Sequence, residues 1–563
     1  MSADSPPEPT SNPQMRFREY PINGPALKRL IEAGLNWLRT NHQLVNSLNV
    51  FPVPDGDTGT NMVLTMQSAF DEIAESPDYN FGVVAYAVAN GALMGARGNS
   101  GVILSQIWRG FARAVDQQEA LDGPTLVRAF ASARDTAYKG VVRPVEGTIL
   151  TVIKDCAAAA ENALDETDDP FNILELVVEA ADQSVEHTPE LLPVLKEAGV
   201  VDAGGKGLFF ILEGMLRYAH GQSLDVAVTS VQPLAAMNLE NTMESIEPGQ
   251  DFEVVVDFHP HNVLDFEGFY RELETMGTSI QLGEGDGIYR LHIHVPTEKR
   301  YEPIDYTMSI GTITKVAIEN LIAQMEEIES QRKGSAKLTL SRCEPSQIAV
   351  VAVSPGAGIT RVFASLGVNA IVEGGQTMNP STQEIISAFE NLPTDRIIIL
   401  PNNKNIILTA ESASELTVKN VAVIPSQTVP QGLSAMLRLI PDGDFDQVVG
   451  DMIDALDEVE TGEITTATRS VEIDGVNVQE GQIIALHNGR LVSATSILEE
   501  ACLDFLRIAH ADHFELITFF YGTDMSKTEV NRIIDRVRRD YPEQEVEVQD
   551  GDQPHYQFII SIE

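Results

Sequence analysis

Apolar residues in roughly the first two hundred positions recur at helical spacing. Leu27, Leu30, Ile31, Gly34, Leu35 and Leu38 share one helix face, and Val83, Val84, Ala87, Val88, Leu93 and Met94 line a later one. From Pro25 to about His220 this pattern predicts an all-helical domain. Three small-residue turns interrupt it: Gly95-Ala96-Arg97-Gly98-Asn99-Ser100-Gly101, Pro144-Val145-Glu146-Gly147-Thr148 and Val201-Asp202-Ala203-Gly204-Gly205-Lys206-Gly207. Each precedes an apolar run, so each can present N–H donors at a helix start. Further on the period changes. Phe252–Phe258 and Tyr289–Val295 read as strands, with helical runs near 266–276 and 312–326, which makes a small α/β module.

Beyond a charged stretch from Glu326 to Lys337, short continuous apolar runs at 348–353, 370–372, 396–400 and 421–424 alternate with helices. Such runs suggest a parallel sheet buried on both faces. From Ser470 strands return, with a hairpin at Asn488-Gly489, a helix over 496–508 and closing strands near 514–520 and 555–562. A chain of 563 residues is too long for one core. The expected division is a disordered tail (1–15), a helical domain (16–222), a linker (223–250), an α/β middle domain (251–330), a second linker (331–345) and a C-terminal α/β domain (346–563).

Charge narrows the function classes. Lys and Arg number 38 against 83 Asp and Glu, a formal net charge of −45, which opposes nucleic acid and anionic membranes. The same field opposes a polyphosphate, so a nucleotide site here must rest on bound cations and backbone N–H groups. Cys156, Cys343 and Cys502 are widely spaced and form no CxxC pair, as expected in a reduced compartment. The first 14 residues have neither a basic start nor an apolar stretch, and no segment approaches 18 uninterrupted apolar residues. Neither a secretory signal nor a stable membrane insertion is expected, and the cytoplasm is the expected location.

The segment from Leu48 to Met62 carries the most specific chemistry. Asp55 and Asp57 flank Gly56 in a loop stiffened by Pro52 and Pro54, directly ahead of an apolar helical run. Both carboxylates can point to one side, and hard oxygen ligands are what Mg²⁺ requires. Thr58, Thr60 and Asn61 can donate to phosphate oxygens, and a helix starting near Asn61 would add its free N–H groups. In the middle module His292 and His294 stand at i and i+2 of a strand, on one face. They are candidate zinc ligands or solvated strand residues.

With the Asp loop, the Gly-Ala-Arg-Gly-Asn-Ser-Gly turn and the Val-Val-Asp-Ala-Gly-Gly-Lys-Gly turn, the chain resembles the ATP-binding kinase subunit of bacterial fatty acid kinase, and its helical domain that of dihydroxyacetone kinases. The stretch Val372-Glu373-Gly374-Gly375-Gln376-Thr377-Met378-Asn379-Pro380-Ser381-Thr382 belongs to the same likeness. The resemblance implies a helical barrel around ATP and two Mg²⁺, a two-lobed C-terminal domain for docking, a homodimer, and a separate fatty-acid-binding partner of the DegV-like family. It places Mg²⁺ on Asp55 and Asp57, with Asn49 where dihydroxyacetone kinases carry a third aspartate. It puts Thr58, Thr60, Asn61, Asn99, Ser100, Gly101, Thr148, Lys196 and Asp202 around the nucleotide, with Asp55, Asp57 and Asn61 as the catalytic set. It favours a Zn²⁺ site at His292 and His294, with Glu253 near the place of a cysteine in some relatives and His259 or His261 as substitutes. The implied activity is phosphorylation of a fatty acid carboxylate, which arrives ionised and needs no strong general base. The alternatives are a non-catalytic nucleotide-sensing scaffold and a small-ketone kinase subunit.

Overall fold

The computed structural model describes residues 21–49, 56–141, 143–222, 224, 232–233, 251–262, 264, 266–273, 275–285, 288–320, 340–376, 378–467, 471–473 and 476–563. The expected N-terminal tail and most of the 223–250 linker lie outside them. The described residues of 1–226 and 339–563 form one compact unit, and those of 227–338 form a second.

Among the described residues of the first unit, nine helices lead: α1 (Gly24–Leu48), α2 (Thr58–Ala74), α3 (Phe81–Met94), α4 (Gly98–Ala114), α5 (Gly123–Lys139), α6 (Ile149–Ala163), α7 (Pro170–Leu191), the short α8 (Pro193–Ala198) and α9 (Ala203–Ala219). From α1 to α7 each helix packs on the next, and α9 packs on both α7 and α1, closing a ring. Short connections make neighbours antiparallel, so the helix starts alternate between two rims. One rim carries the starts of α1, α3, α5 and α7, where Tyr79 O accepts from Gly24 N and Ile22 O from Leu121 N. Every one of these four helices is capped by its own Asx side chain: Asn23, Asn80, Asp122 and Asp169 accept from Ala26, Val83, Thr125 and Phe171 N–H at 3.2, 3.0, 2.8 and 2.9 Å. Each such cap contributes about 1 kcal/mol. The opposite rim carries the starts of α2, α4, α6 and α9, and there the capping is incomplete.

The ring interior is apolar. Trp37, Phe81, Ile31, Leu35 and Leu38 are fully buried, and each such side chain contributes roughly 1.5–3 kcal/mol. Closure depends on two glycines. A Cβ at Gly214 of α9 would lie 2.6 Å from Trp37 Cβ and 2.7 Å from Ala33 O, and one at Gly34 of α1 would lie 2.9 Å from Ile211 O.

The rest of this unit has two lobes. The first contains β6 (Ala349–Ser354), α12 (Ala357–Ser365), β7 (Ala370–Glu373), α13 (Thr382–Glu390), β8 (Arg396–Leu400), α14 (Ile407–Glu415), β9 (Asn420–Val423), α15 (Val429–Met436) and α16 (Phe445–Asp454). Its sheet, in the order β7-β6-β8-β9, is parallel throughout, as the apolar runs predict. The second lobe contains β10 (Glu460–Thr466), the small pair β11 (Val471–Ile473) and β12 (Val476–Val478), β13 (Ile483–His487), β14 (Arg490–Thr495), α17 (Leu498–Ile508), β15 (Leu516–Tyr521), α18 (Lys527–Asp540), β16 (Glu545–Asp550) and β17 (Tyr556–Ile562). Its six-stranded sheet runs β14-β13-β10-β17-β15-β16. Asn488 and Gly489 turn the β13–β14 hairpin at φ of 48° and 75°, the left-handed pair that this dipeptide favours. Apolar spacing leaves 521–554 unassigned because α18, a mostly charged helix, buries only Val530, Ile533, Ile534 and Val537.

The second unit is a sheet ordered β1-β3-β4-β2-β5, from β1 (Gln232–Pro233), β2 (Phe252–Pro260), β3 (Thr278–Gly285), β4 (Ile288–Val295) and β5 (Gly311–Asn320), with α10 (Phe266–Leu273) and α11 (Glu302–Ile310). One expectation fails here. The helix predicted over 312–326 is strand β5 as far as Asn320, and the helix lies earlier, at Glu302–Ile310. Thr312, Ile313, Thr314, Val316 and Ile318 are β-branched, and pairing along β2 from Phe252 to Pro260 overrides the helical spacing. Among the described residues no helix is long and apolar enough to cross a membrane.

The close approach of α1 and α9 yields a direct check. Gly214→Ala should destabilise the helical ring by roughly 1–3 kcal/mol, read as a lower midpoint in urea unfolding followed by tryptophan fluorescence.

Candidate active site

The described end of the Asp loop, from Gly56, and the three small-residue turns of the helical region fall on the second rim, at the starts of α2, α4, α6 and α9. Asp57 occupies the N-cap position of α2 with helical backbone angles, φ −109° and ψ −4°, and its carboxylate makes no cap hydrogen bond. The cap comes instead from α1. Asn46 Oδ1 accepts from Gly59 N at 2.7 Å and from Thr60 N at 3.1 Å, while Asn46 Nδ2 donates to Thr60 Oγ1 at 3.1 Å. Helix α2 therefore begins at Thr58 rather than near Asn61, and its Gly59 and Thr60 amides are engaged by Asn46 instead of awaiting phosphate. Sequence pattern gives no warning of Asn46, which shares its helix face with the polar residues Gln43, His42 and Arg39.

This arrangement leaves the Asp57 side chain for other work. It is 7% exposed, and burial pushes its carboxyl up to about 6, partly offset by hydrogen bonds from the side chains of Asn61 and Asn379. Asn379 Nδ2 lies 2.5 Å from Asp57 Oδ2. Gly98, at φ +58°, lets the start of α4 approach both amides: a Cβ there would stand 2.9 Å from Asn61 Nδ2 and 3.4 Å from Asn379 Nδ2. A buried carboxylate held by amides rather than by a basic side chain favours a bound cation, since ionisation in a low-dielectric setting otherwise drives the proton back on. The donors gathered here are carboxylate and amide oxygens, a set suited to Mg²⁺. Asp55, the second expected carboxylate, lies outside the described residues. Asn49 follows the C-terminal end of α1 on the same rim, its N–H bonded to Asn46 O at 3.1 Å, and Thr58 is the first residue of α2.

The remaining predicted residues divide into two groups. At α4, the N-cap residue Arg97 makes no side-chain cap, and Gly101 N is committed to Arg97 O at 3.1 Å. Helix bonding thus takes the Gly101 N–H, the expected phosphate donor, and the amides of Asn99 and Ser100 lie ahead of it in the first turn. Asn99 is exposed and its Nδ2 reaches Asn405 Oδ1 at 3.3 Å. Across the ring, Thr148 caps α6 and Asp202 caps α9, the latter accepting from Gly205 N at 2.6 Å and also from the Ile149 backbone. Asp202 thus joins the starts of α6 and α9, and burial raises its carboxyl to about 6. Lys196 is exposed on α8, between the end of α7 and the start of α9 on this rim.

The second unit holds a separate cluster. Glu253 faces His294 across β2 and β4, and the ligand atoms of Glu253, His292 and His294 all lie within 4.8 Å of one another. The three residues are buried, at 8, 0 and 2% exposure. His292 Nε2 stands 3.0 Å from Glu253 Oε1, yet no ring nitrogen of either histidine is in hydrogen-bonding geometry with a described residue. Burial, then the charge of His292, holds His294 down at about 4, so it is neutral at physiological pH, the form that binds metal. His259 is exposed and His261 Nε2 lies 3.3 Å from Thr312 Oγ1; neither joins the cluster.

Three family models match in sequence along the chain: the DAK2 domain over 52–217, the FakA-like middle domain of fatty acid kinase over 247–328 and the FakA-like C-terminal domain of fatty acid kinase over 349–563. The chain is also 36% identical over 549 residues, 96% of its own length and 99% of the other's, to the uncharacterized protein SAR1202 of Staphylococcus aureus strain MRSA252. It belongs to the FakA-like family of fatty acid kinase. Among solved structures it is similar to a DegV family protein from Corynebacterium glutamicum, at 17% identity and a TM-score of 0.31 over 38% of this chain and 96% of that one. It is likewise similar to the C. freundii dihydroxyacetone kinase in complex with AMP-PNP and Mg²⁺, at 16% identity and a TM-score of 0.28 over 38% of each chain. As a member of the FakA-like family, the chain is a kinase-type subunit whose helical ring corresponds to the DAK2 domain.

Asp202 gives a pH test. Its folded-state value near 6 stands above the ordinary 3.8, so the folded protein holds the proton more tightly and loses stability as pH rises from about 4 through 6. Asp202→Asn should then be more stable than the native chain at pH 8, by on the order of 2 kcal/mol, with the gain shrinking as pH falls through 6. Urea midpoints at pH 8 and pH 5 measure the difference.

Proposed function

We propose that this chain is the ATP- and Mg²⁺-dependent subunit that phosphorylates a fatty acid carboxylate presented by a separate fatty-acid-binding protein of the DegV-like family, forming acyl phosphate and ADP. The observation that carries this reading is the buried Asp57 carboxylate, held by two amides at the start of α2, on the rim where four helix starts face the same way. Family membership supports the substrate class.

In this reading Asp57 holds the cation, with Asp55 beside it in sequence, and Asn61 keeps the Asp57 carboxylate ionised through its side-chain hydrogen bond. Bound Mg²⁺ supplies neutralisation of the triphosphate charge that a protein of net charge −45 cannot supply from its own field. The amides of Asn99 and Ser100 and the hydroxyls of Thr58, Ser100 and Thr148 stand at helix starts, where they would receive phosphate or nucleotide oxygens. The acyl carboxylate oxygen bonds to the γ-phosphorus as the bond to the β–γ bridging oxygen breaks and ADP leaves. No proton has to be removed from the nucleophile, which agrees with a rim built from Asp, Asn, Thr and Gly residues rather than a histidine base.

ATP consumption with Mg²⁺ should require a lipid-loaded partner, and Asp57→Asn should lower it by at least about a hundredfold. Turnover supported by a dihydroxyacetone-binding protein would point to ketone phosphorylation instead, and nucleotide binding without turnover under any condition would point to a sensing scaffold.

For the second unit we propose Zn²⁺ at Glu253, His292 and His294, three donors of the right chemistry and burial. Elemental analysis of purified protein should find close to one zinc per chain, and His292→Ala should remove it without abolishing nucleotide binding.

A further inference from the structure

Among the described residues of the distinctive 372–382 stretch, Asn379 reaches the carboxylate on the helical rim. The stretch leaves β7 at the C-terminal edge of a parallel sheet and ends where Ser381 and Glu384 form a capping box on α13. Several contacts fix this loop against the start of α4. The Thr382 amide donates to Ala96 O at 3.2 Å, Arg97 pairs with Ser381 as an isolated antiparallel bridge, and the Arg97 guanidinium donates to Asn379 O at 2.9 Å. The same guanidinium forms an ion pair with Glu384 at 3.1 Å.

The Asn379 side chain is not needed for any of those contacts. It turns into the interior, 2% exposed, and donates from Nδ2 to Asp57 Oδ2. Its Oδ1 is buried and has no hydrogen-bond partner among the described residues. A hydrogen bond that served only to join two domains would not leave the other half of the amide unsatisfied in the interior, because an orphaned buried acceptor is costly. At a cation and phosphate site, such an oxygen beside a carboxylate has a use. Swapping the amide would set two acceptors against each other, so the Nδ2-to-carboxylate assignment is forced by the chemistry.

We infer that Asn379, supplied by the C-terminal domain, is a positioning residue of the cation and phosphate site: its amide fixes the Asp57 carboxylate, so the helical ring does not complete that site alone. The inference rests on the kinase reading above and extends it by making the C-terminal domain a structural participant in nucleotide binding. The positioning acts on the metal ligand rather than on substrate, as hydrogen-bond partners of metal ligands commonly do.

The test uses the full chain and electron paramagnetic resonance of Mn²⁺ with ATP, in the absence of partner and lipid. Asn379→Ala should weaken Mn²⁺·ATP binding about tenfold or more and broaden the bound spectrum. Asn379→Leu keeps the volume, and so guards against a cavity in the Ala variant; it removes the donor and should weaken binding as well. Glu384→Gln breaks the domain ion pair but leaves the Asn379 amide, and should change affinity less than about threefold. Native affinity in both Asn379 variants, or an equal loss in Glu384→Gln, overturns the inference. Asp57→Asn separates the two levels: loss there with native behaviour at Asn379 sinks the positioning role alone, and no loss there sinks the kinase-site reading together with it.

Discussion

A carboxylate at 7% exposure, held by two amides instead of a basic side chain, is the constraint around which this molecule is arranged. Desolvation disfavours the charge, and hydrogen bonds, chiefly those from Asn61 and Asn379, oppose that tendency. The side chain is free for this because the helix it begins is capped by Asn46 from the preceding helix. The cap of α2 and the buried carboxylate thus sit on two different residues.

The two rims of the ring show the same division on a larger scale. On one, four Asx side chains close four helix starts, and the neighbouring loops bond to one another. On the other, the N-cap residues of α2 and α4 make no cap bond, and the left-handed Gly98 brings the second helix start to within reach of two amides. Of these, the start of α4 has no side-chain cap, and an uncapped helix start carries partial positive charge. In the proposed kinase reading, that local charge and a bound cation are what would hold a triphosphate against the field of a chain of net charge −45.

The domain arrangement follows from the same geometry. Arg97 commits its guanidinium to Asn379 O and Glu384, and so ties the start of α4 to the loop that carries Asn379. The zinc candidate in the second unit obeys a related rule by different chemistry: buried imidazole nitrogens outside hydrogen-bonding geometry, facing a carboxylate, form a cluster whose donors suit a metal.

Much of this was legible in the order of residues. Helical spacing over the first two hundred positions, continuous apolar runs for the parallel sheet, the Asn488-Gly489 hairpin and the i, i+2 histidines all depend on interactions between near neighbours in sequence, which local pattern records. The strand at 311–320 was misread because its pairing with β2 lies more than fifty residues away, and α18 went unseen because a charged helix that buries four side chains leaves little periodic signal. Sequence alone determined which loop carried the carboxylates. Only the tertiary structure decided that Asn46 would cap α2, that Gly101 would commit its amide within a helix, and that Asn379, more than three hundred residues on, would face Asp57. Long-range packing determines which polar groups lose water together.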